Sequence, residues 1–188
     1  MKKLLTLFRQ GAISEEDLLT QIEASAPAKV REDEDSGERK RFELASVLDR
    51  YRAAEASGAE TLSEWSRLSL DAGLSGGLRT IAAREAYHAD LLARRVRELG
   101  AEPDAQIPSW LSDYNSRMVN PAATDVERLE AIVGQFPDIE AALAPLEKTI
   151  ESIDGDPLTR ELLRTIEQDE RASLEWFHSA YALRATRT

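Results

Sequence analysis

Glu85 and His88 stand three residues apart in a stretch, 74–99, whose apolar residues Leu74, Leu78, Ile81, Leu92 and Leu99 recur at three- and four-residue steps. That periodicity predicts one long amphipathic helix, and both residues fall on its apolar stripe. A carboxylate and an imidazole turned into a helical core cost on the order of several kcal/mol unless something pairs with them. Glu-x-x-His is also the spacing with which helical bundles aim two ligands at one metal ion. Carboxylates and imidazole suit iron and manganese, and zinc less diagnostically.

Four further glutamates meet the same test, three of them at matching heights. In 38–70 the stripe Leu44, Leu48, Tyr51, Glu55, Gly58, Leu62 and Trp65 picks out Glu55 and leaves Glu43, Glu60 and Glu64 beside it or opposite. The run Asp71-Ala-Gly-Leu-Ser-Gly-Gly makes a tight connection, so the first two long helices are expected to be antiparallel. Glu55 lies about fifteen residues before that turn and Glu85 about fourteen after it, which sets the two carboxylates at one height. Thr124-Asp-Val-Glu127 is a capping box opening a third helix, with the stripe Leu129, Val133, Phe136, Glu140, Leu143, Glu147 and Ile150. Pro137 implies a kink or break near 134–137. Asp156 caps the fourth helix, Pro157 takes its first position, and Leu163, Ile166, Glu170, Leu174, Phe177 and Tyr181 share one face. Glu170 follows Glu140 by thirty residues, as Glu85 follows Glu55. Glu147 also lies on its stripe and has no assigned role.

The halves read as repeats. Ile81-Ala-Ala-Arg-Glu85-Ala-Tyr-His88 aligns with Ile166-Glu-Gln-Asp-Glu170-Arg-Ala-Ser173, so a serine stands where the first half has its histidine. Glu175-Trp-Phe-His178 is itself a Glu-x-x-His. Glu175, however, is rotated by roughly 100° from the face centred on Leu174 and sits about 7.5 Å further along the axis than Glu170. Geometry favours Glu170 and spelling favours Glu175 with His178. His178 lies nearer the stripe and stays a candidate, as a ligand through a π-bulge or as a partner behind the ligands.

Between the halves, the turn-rich stretch 101–123 (Pro103, Pro108, Asn120-Pro121) surrounds a short helix expected at 110–114. A connection of some two dozen residues can run the length of a bundle, which predicts a crossover and up-down-down-up order. Trp110 and Tyr114 are expected to lie over the bundle's side.

Over 42–183 the chain resembles the ferritin-like carboxylate di-iron superfamily of ferritins, bacterioferritins and rubrerythrins, in its four helices, long crossover, Glu55 and Glu85-x-x-His88. The resemblance implies an all-α, ferritin-like four-helix bundle with metal ligands Glu55, Glu85, His88, Glu140, Glu170 and His178. Glu85 and a carboxylate of the other half would bridge two ions, Glu55 and Glu140 would each terminate one, and His88 would bind the first. The implied cofactor is di-iron or Mn/Fe, with zinc possible in a crystal. The implied activity is that of an oxidoreductase or ferroxidase acting on oxygen or peroxide. With Ser173 in place of a histidine, the second ion would be held more weakly. Tyr51 and Tyr87 are near enough in sequence for redox or supporting roles, with core packing the ordinary role for Tyr51. The alternative is a metal-free or vestigial-site bundle serving as an interaction or scaffold protein.

Residues 1–24 read as an amphipathic helical appendage, with Gly11 as a stop and Ser14 as a cap, whose apolar face is expected to dock either on the bundle or on a partner, where it would mediate oligomerisation. Residues 25–41 read as a polar linker and 42–185 as the bundle. The 188 residues include no cysteine, which excludes disulfides, thiolate zinc sites and iron–sulfur clusters. A net charge of −11 argues against nucleic acid and anionic membrane as partners. With neither an export signal nor an apolar run of ~20 residues, a cytoplasmic homo-oligomer, dimer or larger, is expected.

Overall fold

The structure, a computed structural model, describes residues 36–186. Among the described residues six helices occur in order: α1 (Ser36–Leu68), α2 (Ala72–Glu98), α3 (Ser109–Met118), α4 (Asp125–Gln135), α5 (Ile139–Ser152) and α6 (Pro157–Ala185). The appendage and residues 25–35 of the expected linker lie outside the described residues. Residues 36–41, also read as linker, are instead the first turns of α1.

Side-chain clips at the helix ends fix the directions. Asp71 caps α2 by accepting the Leu74 N–H at 2.9 Å, and its other oxygen takes Arg184, from the last turn of α6, at 2.6 Å. At the opposite end Arg95, near the end of α2, donates to Thr159 and Asp156 at the start of α6, each at 2.7 Å. α6 therefore runs antiparallel to α2. α4 begins where α1 ends, since Trp65 Nε1 and Ser69 Oγ both donate to Asp125 at 2.7 Å. The order is up-down-down-up, and the connection is the expected crossover.

That crossover runs along α1. Buried Asp49 accepts the backbone N–H groups of Asp104 and Ala105 at 2.8 and 2.7 Å, Asn115 of α3 bonds to Ser57, and Asp125 closes the run against Trp65. The short helix is longer than the expected 110–114, reaching from Ser109 to Met118.

The third helix of the bundle is two helices. Pro137 has no N–H to offer and disfavours helical geometry at the residue before it. Phe136 accordingly takes φ −126° and ψ 60°, ending α4. Asp138 then recaps the chain through the Ala141 N–H at 3.1 Å, and α5 starts with a new rotational phase.

Asp156 serves two ends at once, capping α6 through the Thr159 N–H at 3.0 Å while holding Arg95. Burial would raise its carboxyl, but the Thr159 and Arg95 hydrogen bonds outweigh that and hold it below the usual range. Its contribution is therefore present above an unfolded pKa of ~3.9 and is lost as pH falls through the lower folded value. Asp156→Ala is expected to cost about 1–2 kcal/mol at neutral pH. The gap to the unmodified protein should close in acid, which denaturant melts at several pH values measure.

Two apolar clusters fill the bundle. One holds Leu62, Trp65, Leu78, Ile81, Leu143, Leu174 and Phe177, and the other Leu48, Tyr51, Leu92, Leu146, Leu163 and Ile166. Along α1, α2 and α6 the chain passes between clusters through a polar residue: Glu55 after Tyr51, Glu85 and His88 before Leu92, Glu170 before Leu174. α5 passes directly from Leu143 to Leu146. A polar layer crosses the bundle, and α5 gives it no carboxylate.

Candidate metal centre

Glu55, His88 and Glu170 are each 2% exposed and Glu85 7%. Glu55, His88 and Glu170 each offer a ligand atom, and these atoms all lie within 4.8 Å of one another. His88 Nδ1 faces Glu55 Oε2 at 3.3 Å, while its Nε2–H donates to Asp169 Oδ2 at 3.0 Å. Burial by itself lowers the His88 pKa, but the hydrogen bond and charge of Glu55, the Asp169 bond and the charge of Glu170 carry it above its ordinary value. Gly58 makes room for the Glu85 carboxylate, since a Cβ there would come within 2.0 Å of Glu85 Oε2. Beside the carboxylates lies a cavity of about 40 Å³, walled also by Tyr114 and Met118 of α3 and by Ile132, Phe136 and Phe177. Burial pushes the Tyr114 phenol up, so it stays protonated.

The other sequence candidates lie elsewhere. Glu140, with a side chain 73% exposed, pairs with Arg171, which also takes Glu147 at 3.4 Å and Glu167 at 2.8 Å. Its height along the bundle is near the layer, but its rotational phase is wrong. The buried face of α5 is Ala142, Leu143, Leu146 and Ile150, because the stripe drawn through Glu140 assumes a helix unbroken at Pro137. His178 Nε2–H donates to the Phe136 carbonyl at 2.8 Å, satisfying the acceptor exposed where α4 stops. Glu175 is exposed. Tyr51 packs in the core with its hydroxyl 3.0 Å from Thr149 Oγ1, and Tyr87 points to solvent.

Asp169 and Arg84 were not singled out from the sequence. Arg84 donates to Asp169 Oδ1 at 3.2 Å and to Ser173 Oγ at 2.7 Å. Their signal was present in the repeat alignment, where Arg84 and Asp169, of opposite charge, occupy equivalent positions.

The donor set fits a divalent cation. Buried Glu55 faces one imidazole nitrogen with Glu170 close by, and the other nitrogen is anchored by Asp169, the usual support behind a ligating histidine. The Ferritin-like domain family matches residues 72–184, and the chain belongs to that family. Among solved structures, the chain is similar to the bacterioferritin of Desulfovibrio desulfuricans, described as holding a diiron site, with TM-score 0.62 and 22% identity over 79% of this chain and 83% of that one. At that identity the likeness carries the fold. No curated protein matches. Among the described residues, no helix is long and apolar enough to cross a membrane.

Proposed function

We propose that this chain is an iron-binding ferritin-like protein whose ion is held by Glu55, His88 and Glu170, with Glu85 beside them. The observation that carries this reading is the convergence of those three buried donors within 4.8 Å, with His88 steadied from behind by Asp169. Iron bound to carboxylates and imidazole supplies one-electron chemistry with oxygen or peroxide, so the reaction class is ferroxidase or oxidoreductase. Asp169 fixes the His88 ring so that Nδ1 is the nitrogen turned toward Glu55 and the ion. His88 would hold an ion through Nδ1 and Glu55 through its carboxylate, and because the imidazole must be neutral to ligate, binding would weaken as pH falls. Met118, Phe136 and Phe177 supply apolar walls beside the carboxylates. A cavity of about 40 Å³ beside the carboxylates gives room for a small molecule such as oxygen or peroxide. Manganese is the competing ion for this donor set. The reading includes a cytoplasmic homo-oligomer joined through residues 1–24, which light scattering on the full chain tests.

Anaerobic titration of metal-free protein with Fe(II) tests the site. Stoichiometric binding is expected, with Glu170→Ala weakening it by more than ~100-fold, beyond the 10–100-fold typical of losing a partner behind a ligand. Glu140→Gln is expected to leave it unchanged. Absence of stoichiometric binding would leave the scaffold-protein alternative standing.

A further inference from the structure

The repeat relates the two halves of the polar layer residue by residue: Arg84 to Asp169, Glu85 to Glu170, His88 to Ser173. The contacts obey the same relation. In one half Asp169, an anion, backs His88. In the other Arg84, a cation, backs Ser173 at 2.7 Å. The first arrangement presents an imidazole nitrogen with a negative charge behind it, which favours a metal cation at its front. The second presents a hydroxyl with a guanidinium behind it, and like charge in a partly buried layer disfavours a cation there. Arg84 is fixed in this position, bonded to Asp169 Oδ1 at 3.2 Å as well as to Ser173. α5 offers nothing to offset it, since it crosses the layer between Leu143 and Leu146 while Arg171 holds Glu140 and Glu147 on the outer surface.

Resting on the reading of Glu55, His88 and Glu170 as ligands, we propose that this is a one-ion centre in which Arg84 stands as a fixed positive charge on the side where a second ion would need its ligands. The two-ion arrangement implied by the fold family does not fit the donors present in this half.

The test is a titration of the metal-free full chain with Mn(II), monitored by calorimetry and by electron paramagnetic resonance of the bound ion. One equivalent, with the signal of an isolated ion, is expected. Arg84→Gln combined with Ser173→His removes the cation and restores the imidazole, and should take up a second, weaker equivalent that broadens the signal by coupling. Ser173 is only 2% exposed, so Arg84→Glu serves as the variant that leaves that position alone. At a side chain 31% exposed it exchanges the cation for a carboxylate, and it should give the same second equivalent. Two tight equivalents in the unmodified protein would overturn the one-ion assignment while sustaining the site. A folded variant that still takes only one would overturn the role of Arg84. Less than one equivalent in the unmodified protein would overturn the ligand reading itself, and the inference with it.

Discussion

His88→Ala is expected to destabilise the metal-free protein by about 3 kcal/mol, at the lower end of the cost of deleting one partner of a buried ion pair. The imidazole is 2% exposed and answers Glu55 on one side and Asp169 on the other. Its removal leaves Glu55 without the ring that faces it and Asp169 without its donor, and it opens a void the size of the ring. Asp169, at 35% side-chain exposure, recovers water and limits the loss. Urea unfolding at neutral pH, in the presence of chelator, reads the effect as a lower midpoint with an unchanged slope. A change below about 1 kcal/mol would show that the layer is solvated enough to need no imidazole partner. The same variant should lose iron binding by more than ~100-fold, with the fold intact by circular dichroism.

Gly77→Ala is the second large effect, and it runs against helix propensity. A glycine inside a helix ordinarily costs ~1 kcal/mol relative to alanine. Here an added Cβ would lie 2.0 Å from Trp176 Cζ2 and 2.5 Å from Cε2, far inside van der Waals contact with the indole. The ring, partly buried, is packed against the core. It packs edge-on against Phe177 at 5.2 Å between centroids, and Phe177 stacks on Trp65 at 6.3 Å. Overpacking of this kind costs about 1–3 kcal/mol, so a net destabilisation is expected despite the propensity gain. A thermal melt that rose would show that Trp176 swings outward freely.

Much of the fold was legible because it is written in local signals. The Thr124–Glu127 box and Asp156 with Pro157 mark helix starts through their own backbone bonds, and both starts lie where the sequence puts them. The run 71–77, expected as a connection, is shorter as a turn: Asp71 caps α2, and residues 72–77 are its first turns. Crossover length gave the topology. Phase brought out Glu55, Glu85, His88 and Glu170 because α1, α2 and α6 run unbroken through the polar layer, so counting from either turn reaches the same height. Glu140 escaped that logic. Pro137 was visible, but how far the helix would turn on restarting depends on Asp138 and on packing against α6, which periodicity does not encode. His178 carried a motif's spelling and serves the very break that shifted Glu140. Arg84 and Asp169 act across helices, through rotamers chosen by their neighbours, so only the charge reversal between the repeats hinted at them.

The polar layer draws Glu55, Glu85 and His88 from the α1–α2 hairpin and Glu170 from α6, on the far side of the crossover. A cation shared among them would be a staple between the two halves of the chain rather than a passenger within one. Loading and docking would then be a single equilibrium. Free ion at a hundredfold excess over its dissociation constant would add about 2.7 kcal/mol to the unfolding free energy. The molecule's resistance to heat and proteolysis would accordingly rise and fall with the metal supply around it.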